Sequence, residues 1–326
     1  MEVKNLRSKK TTATKKPTVA LLYGGFSTER EISLKSGEQV YKALVKRNYP
    51  TIKIDVDTNL VSKLKQFKPD VCFIALHGRY GEDGTIQGLL NILDIPYTGS
   101  SVLASALAMD KVMAKKVLSL EGISTAPFIS LSNFDHRMVE EVIEDIKKKL
   151  KMPVVVKPAN EGSTIGMSIV KKPEALQEAI GLASKHDKSI LIENFIEGTE
   201  VTVAILGNKN PIALPTLEIE TKTDFYDYET KYSAGLSRHI IPARISEEKQ
   251  LMVKEMALAA HKALGCRGFS RVDIIVPKKE NPVVLEVNTI PGMTKLSLFP
   301  DACKAAGIEF EDLIEKIIDL ALEEKT

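Results

Sequence analysis

The sequence predicts two architectures in series: an α/β unit with a parallel sheet, followed by smaller α+β units. Three observations lead there. The runs at 18–23 (TVALLY) and 71–76 (VCFIAL) are short and almost wholly apolar, as strands buried on both faces are. Helical patterns separate them from each other and from a strand at 51–56, which is a βαβ layout. After about residue 100 the alternation stops, and strands follow one another with fewer helices between them.

The first strand ends in Gly24-Gly25. Ser27 or Thr28 can cap the next helix, with Glu31 completing a capping box three residues after Thr28. The third strand runs into His77-Gly78, and loops at the C-terminal ends of parallel strands are the usual ligand-binding loops. Residues 101–120 read as helices and 135–151 as an amphipathic helix. Strands follow at 154–157, 167–170 and 189–193, with a helix at 173–185. The last third has strands near 200–206, 268–276 and 283–287 and helices at 246–264 and 310–323. Residues 221–238 show no period and are rich in Tyr, Asp and Lys. Long loops of this kind are commonly functional or disordered. The expected organisation is a basic disordered tail at 1–16, an α/β domain at 17–99, a central unit at 100–192 and a C-terminal unit at 193–326 with a lid at 221–241.

Composition narrows the function. The 326 residues carry 45 Lys+Arg and 43 Asp+Glu, but residues 1–16 hold six bases and one acid. The remaining chain has 39 bases and 42 acids, a poor electrostatic footprint for nucleic acid. The longest uncharged stretch, 95–109, contains Pro, Gly and Ser, so no membrane span is expected. The basic tail has no apolar core, so no secretory leader is expected in it. Cys72, Cys266 and Cys303 are scattered and form no CxxC. That excludes a thiolate zinc site and a disulfide scaffold and suits a reducing cytoplasm.

The sharpest chemistry is in the last third. Arg271 and Asp273 share one face of a strand, and Glu286 and Asn288 stand on the next. A hairpin symmetric about Lys279-Glu280 sets Asp273 opposite Glu286 and Arg271 opposite Asn288. Like charges facing across strands are destabilising. The pair makes sense around a hard cation with oxygen ligands, Mg²⁺ or Mn²⁺. A solvated face with Arg271 neutralising one acid is the plainer alternative. A second feature is the apolar strand VVVKP (154–158), ending in Lys157 before the small-residue loop EGSTIGM (161–167). Backbone N–H groups of such a loop can approach phosphate oxygens, with lysine as a point charge. An ordinary glycine turn would look the same. No Walker A, GxGxxG, HExxH or GxSxG motif occurs. Glu29 could meet a ligand amine or simply suit a helix N-terminus; His77 could touch substrate or fill a turn; Lys111 could be only a solvated lysine.

Together these motifs resemble the ATP-grasp ligases, and within them the D-alanine–D-alanine ligase family. The stretches that carry the likeness are GGFSTEREISLKSG (24–37), LHGRYGEDGTIQG (76–88), MDK (109–111), VVKPANEGSTIGM (155–167), FYDYETKY (225–232), GFSRVD (268–273) and EVNTIPGMTKLSLFP (286–300). The likeness extends from residue 18 to about 322. It implies an ATP-grasp fold behind an N-terminal parallel-sheet domain, and an ATP-dependent ligase that makes D-alanyl-D-alanine for peptidoglycan precursors through an acylphosphate. Asp273, Glu286 and Asn288 become metal ligands for two Mg²⁺ or Mn²⁺ ions. Lys111 and Lys157 match phosphate-binding lysines, Glu193 and Ile196 the adenine segment, Glu200 the ribose acid, and Lys231 a loop lysine for the γ-phosphate. Glu29 matches the acid for the first D-alanine's amine, with Ser163 and Tyr232 as its hydrogen-bonded partners, and His77 sits near that substrate's carboxylate. Arg271 and the Gly292 N–H match the oxyanion site, and Ser297 and Leu298 the hold on the second D-alanine's carboxylate. The likeness also implies a cytoplasmic homodimer whose partners are D-alanine and ATP, with neither nucleic acid nor membrane. Ile290 and Asn194 depart from some relatives without unsettling the set. Rival readings are a D-alanine–D-lactate ligase, against which Tyr232 argues, a ligase for another amino acid, and a non-catalytic nucleotide-binding module.

Overall fold

The structure, a computed structural model, describes residues 15–132, 139–162, 165–221 and 237–323. The expectations for residues 1–14, for Ser163, Lys231 and Tyr232, and for most of the lid at 221–241 lie outside the described residues.

The front of the chain is the expected parallel sheet. Strands β1 (Val19–Tyr23), β2 (Thr51–Asp55) and β3 (Val71–Ile74) lie in the order β2-β1-β3. Every residue of β3 is buried, which explains its unbroken apolar run. Helices α1 (Arg30–Lys46) and α2 (Leu60–Phe67) make the crossovers. Gly37 lets α1 approach β1 closely: a Cβ there would fall 2.6 Å from the Cβ of Tyr23. The capping-box expectation fails. The N-cap of α1 is Glu29 without a side-chain cap. The Ser27 hydroxyl instead donates to the His77 carbonyl at 2.6 Å and accepts from the Glu29 N–H at 3.1 Å, tying the first-strand loop to the third-strand loop.

Helices α3 (Thr85–Ile92), α4 (Val102–Met109) and α5 (Lys111–Leu120) follow. The expected helical run breaks at Asp110, whose carboxylate caps α5 by accepting from Val112 and Met113 N–H. The second sheet has the order β4-β7-β5-β6, from β4 (Phe128–Ser132), β5 (Val154–Pro158), β6 (Ser168–Val170) and β7 (Ser189–Asn194). Helices α6 (Val139–Lys149) and α7 (Leu176–Ala183) cover it. Acids in the first turn of α6 and lysines in its last turn both suit the helix dipole.

The third sheet has the order β11-β10-β8-β12-β13 with β9 beside β8. Its strands are β8 (Thr199–Leu206), β9 (Ile212–Ala213), β10 (Leu217–Thr221), β11 (Ser237–Ile240), β12 (Phe269–Val276) and β13 (Val283–Asn288). Helix α8 (Glu247–Ala263) packs on it. So do α4 and α5, although their sequence positions fall in the stretch expected to form the central unit. After α9 (Leu298–Ala305), helix α10 (Phe310–Leu322) returns to the front. Its buried Leu313, Ile314, Ile317 and Ile318, at helical spacing, share one core with β1, β3 and α1. Lys16, placed at the end of the expected tail, is held there too. Its Nζ lies 2.6 Å from Glu315 and 2.6 Å from the Arg47 carbonyl.

Candidate active site

Strands β12 and β13 meet in the expected register, with Arg271 opposite Asn288 and Asp273 opposite Glu286. Just past that pair the register shifts by one residue, a bulge of the kind that re-aims side chains beside functional sites. Asp273 is buried and heavily bonded. Its Oδ1 accepts from Arg271 Nε at 2.9 Å and from Thr202 Oγ1 at 2.6 Å; its Oδ2 accepts from Arg271 Nη2 at 2.7 Å and Asn288 Nδ2 at 3.2 Å. Two carboxylates and an amide on facing strands offer oxygen donors that suit a hard divalent cation, and Lys111 Nζ stands 3.8 Å from Glu286 as a neighbouring positive charge. Among the described residues no cluster of three or more His, Cys, Asp or Glu is placed to hold a metal ion.

Lys157 stands at the end of β5, and Glu193 on the neighbouring β7. Its Nζ lies 2.6 Å from Glu193 Oε1, and Lys115 Nζ lies 2.7 Å from Oε2. Glu193 is 2 % exposed and Lys115 is 1 % exposed. Burial alone would push the Glu193 carboxyl up, but the two lysines hold it below the usual range. Burial also pulls Lys157 down, yet Glu193 and Glu286 outweigh it and raise the ammonium. In Lys115 burial wins, and the ammonium is lowered. Lys111, the first residue of α5, donates to the Glu161 carbonyl at 2.7 Å, which holds the loop after β5 against the cleft.

Glu29 and His77 come together at the C-terminal ends of β1 and β3, and both are buried. A Cβ at Gly162 would fall 2.6 Å from Glu29 Oε2, and one at Gly78 2.8 Å from it. These glycines therefore admit the carboxylate between the front sheet and the loop after β5. Burial lowers the His77 imidazole, opposed by Glu29 and by a hydrogen bond to the Ile290 backbone. Glu82, unremarked in the sequence, accepts from the Gly78 N–H at 2.6 Å. It is pushed up to about 8 by burial, with the charge of Glu29 adding to the effect.

The 290–298 segment closes the cleft. A Cβ at Gly292 would fall 2.8 Å from Ser297 Oγ. That hydroxyl accepts from the Thr294 N–H at 2.9 Å. Leu298 begins α9, so its backbone N–H is one of the helix's first, unpaired-by-helix donors.

Two cavities result. One of about 490 Å³ lies between the second and third sheets and is lined by Lys111, Lys157, Glu193, Ile196, Glu200, Asp273 and Glu286, among others. That volume is in the range of cofactor sites. A narrower one of about 90 Å³ is lined by Glu29, His77, Glu82, Lys111, Arg271, Glu286, Asn288, Gly292, Ser297 and Leu298. Lys111 and Glu286 line both, so the cavities meet at the cation-suited strand pair. The structure thus places every described candidate site residue on the walls of these two spaces. It adds Glu82 on the wall of the small cavity and Lys115, buried behind Glu193. Their signals were MDKVMAK (109–115), with a lysine one turn after Lys111, and the acid within LHGRYGEDG (76–84).

The family model described as D-ala D-ala ligase C-terminus matches residues 117–319, and that described as D-ala D-ala ligase N-terminus matches 57–100. A curated D-alanine–D-alanine ligase from Pelotomaculum thermopropionicum is 56 % identical over 307 residues, covering 94 % of this chain and 96 % of the relative. Among solved structures, a D-alanine–D-alanine ligase from Bacillus anthracis superposes with a TM-score of 0.80 at 34 % identity, covering 94 % of this chain and 98 % of that one. The VanG D-Ala:D-Ser ligase from Enterococcus faecalis also has a TM-score of 0.80 at 34 % identity, covering 94 % of this chain and 99 % of that one.

Proposed function

The chain belongs to the D-alanine–D-alanine ligase family, and from that premise we propose that it joins two D-alanines at the expense of ATP, supplying the dipeptide for peptidoglycan precursors. The observation that carries this reading is the junction of a nucleotide-sized cavity with a small polar one at Lys111 and Glu286. In the reaction a carboxylate oxygen of the first D-alanine attacks the γ-phosphorus, ADP leaves, and an acylphosphate forms. The amine of the second D-alanine then attacks the acyl carbon, loses a proton, and inorganic phosphate leaves.

The residues divide this work. Lys111 and Lys157 neutralise phosphate charge, Glu193 and Ile196 border the adenine, Glu200 takes the ribose, and Lys231 approaches the γ-phosphate. Phosphoryl transfer depends mostly on such positioning and charge balance. Asp273, Glu286 and Asn288 are the residues that hold the divalent cation, Mg²⁺ or Mn²⁺ and two ions in this proposal, which when bound supplies further charge neutralisation. Glu29 binds the first amine, with Ser163 and Tyr232 as its partners, and His77 borders that substrate's carboxylate. Arg271 and the Gly292 N–H face the tetrahedral oxyanion. Ser297 and the Leu298 N–H hold the second carboxylate. A lid at 221–241 shields the acylphosphate from water.

The expected setting is the cytoplasm, as a homodimer; among the described residues no helix is long and apolar enough to cross a membrane. The test is direct. Purified protein with ATP, Mg²⁺ and D-alanine should yield D-alanyl-D-alanine by mass spectrometry, and ATP turnover without that product would refute the reading.

A further inference from the structure

His77 is fixed at both ends. Its backbone carbonyl takes the Ser27 hydroxyl, and its Nε2 lies 3.0 Å from the hydroxyl of Ser36. Ser36 is on the buried face of α1 and is fully shielded from solvent. The same hydroxyl oxygen accepts from the backbone N–H of Met293 at 3.2 Å, a contact across 257 residues of sequence. Met293 directly follows Gly292 in the turn that lines the small cavity. The His77 ring also meets the Ile290 backbone at the other end of that turn. One hydroxyl therefore joins three things: the first helix of the front domain, the buried imidazole, and the 290–293 turn.

We propose that Ser36 is a positioning residue for the second half-reaction: it holds the 290–293 turn in register with His77, so that the Gly292 N–H faces the oxyanion. The inference rests on the roles given to His77 and Gly292 above. The Ser36 oxygen accepts from the Met293 N–H, and its contact with His77 Nε2 is a second hydrogen bond of the same hydroxyl, whose direction is set by the imidazole tautomer. A buried N–H that loses its acceptor is costly, so the turn would shift to find another partner. Oxyanion donors act only when pre-placed, so such a shift slows amine attack on the acylphosphate more than formation of the acylphosphate. Water then attacks the stalled acylphosphate at its acyl carbon or its phosphorus; the new bond to the water oxygen replaces the bond to the bridging oxygen, the water proton is lost, and D-alanine and inorganic phosphate are released without dipeptide.

Ser33 provides the comparison. It is fully buried on the same helix face, accepts from the Gly24 N–H at 2.8 Å and donates to the Ala75 carbonyl at 2.7 Å, contacts confined to the front domain. The experiment measures phosphate released and D-alanyl-D-alanine formed by wild type, Ser36→Ala, Ser36→Cys and Ser33→Ala, with the KM for ATP. Cysteine keeps the size of serine but is a weak hydrogen-bonding group, so it serves if the alanine variant folds poorly. Wild type should release one phosphate per dipeptide. Both Ser36 variants should lose about tenfold in dipeptide formation, the scale of one buried hydrogen-bond partner. Their phosphate-to-dipeptide ratio should rise severalfold with the KM for ATP within about twofold of wild type. Ser33→Ala should keep the wild-type ratio. A ratio unchanged in both Ser36 variants, or raised equally in Ser33→Ala, would overturn the proposal. Absence of dipeptide from wild type would instead overturn the assigned reaction.

Discussion

Asp273 and Glu286 face each other across β12 and β13, one residue before the strand register slips. Asp273 is neutralised by the fork of Arg271, and Lys111 stands 3.8 Å from Glu286. Facing carboxylates disfavour an empty hairpin, so this pair contributes to function rather than stability. Glu286→Gln should abolish divalent-dependent turnover while melting stays at or slightly above wild type. Near wild-type turnover at low Mg²⁺ would count against the metal assignment.

Arg271 bridges the two ends of the site, since its Nε and Nη2 hold Asp273 while the residue lines the small cavity. Loss of one pre-placed oxyanion donor typically costs ~10² to 10³ in turnover. Arg271→Ala should lose at least that, and Arg271→Lys should recover only part, because lysine lacks the planar fork. Steady-state kinetics beside direct ATP binding decides the matter. Collapse of ATP binding with turnover of the bound complex preserved would make Arg271 a nucleotide ligand or a structural bridge instead.

Lys115 and Lys157 share the two oxygens of Glu193. Removing one partner of a buried ion pair typically costs about 3–5 kcal/mol. Lys115→Met should fall toward the lower end, because Lys157 remains and methionine fills similar space. Denaturant unfolding should show that loss, and the KM for ATP should rise as Glu193 swings toward Lys157. Unchanged stability would show that the pair is not buried in solution.

His261 tests the core. Its Nδ1 pairs with Ser270 Oγ at 2.7 Å, and burial lowers its pKa to about 4. The unfolded chain, with an ordinary imidazole near ~6.5, binds this proton first as pH falls. Stability from neutral His261 is thus full above pH ~6.5 and declines as pH drops toward about 4, by up to about 3 kcal/mol. Urea unfolding of wild type and His261→Gln across that window should show the steeper decline in wild type. Parallel pH profiles would contradict a neutral, buried ring.

The legible parts of the fold were those where one rule dominates. The apolar runs of β1 and β3 read as strands buried on both faces, and alternation with hairpin symmetry sets Asp273 against Glu286 from sequence alone. The bulge beyond that pair was invisible, because a one-residue slip leaves no compositional mark. Ser27 and Thr28 looked like caps, but tertiary contact with His77 claimed the Ser27 hydroxyl instead. Lys115 and Glu82 are hard to read from sequence for a related reason. A lone lysine in a helix reads as solvated, and only the fold reveals that Phe128 and Glu193 enclose it. The strands β10 and β11 escaped notice because they are short and border the aperiodic 221–238 stretch.

The two joined cavities are assigned the ATP-dependent coupling of D-alanine to itself. The most direct test of that assignment offers D-alanine alone, then D-alanine paired with D-serine or D-lactate, and L-alanine alone, each with ATP and Mg²⁺, while phosphate and product are measured together. Phosphate release with D-alanine alone should be matched one for one by D-alanyl-D-alanine, with little release from L-alanine. Phosphate release that is independent of D-alanine, or that yields a D-serine or D-lactate product in preference to the D-alanine dipeptide, would contradict the assignment.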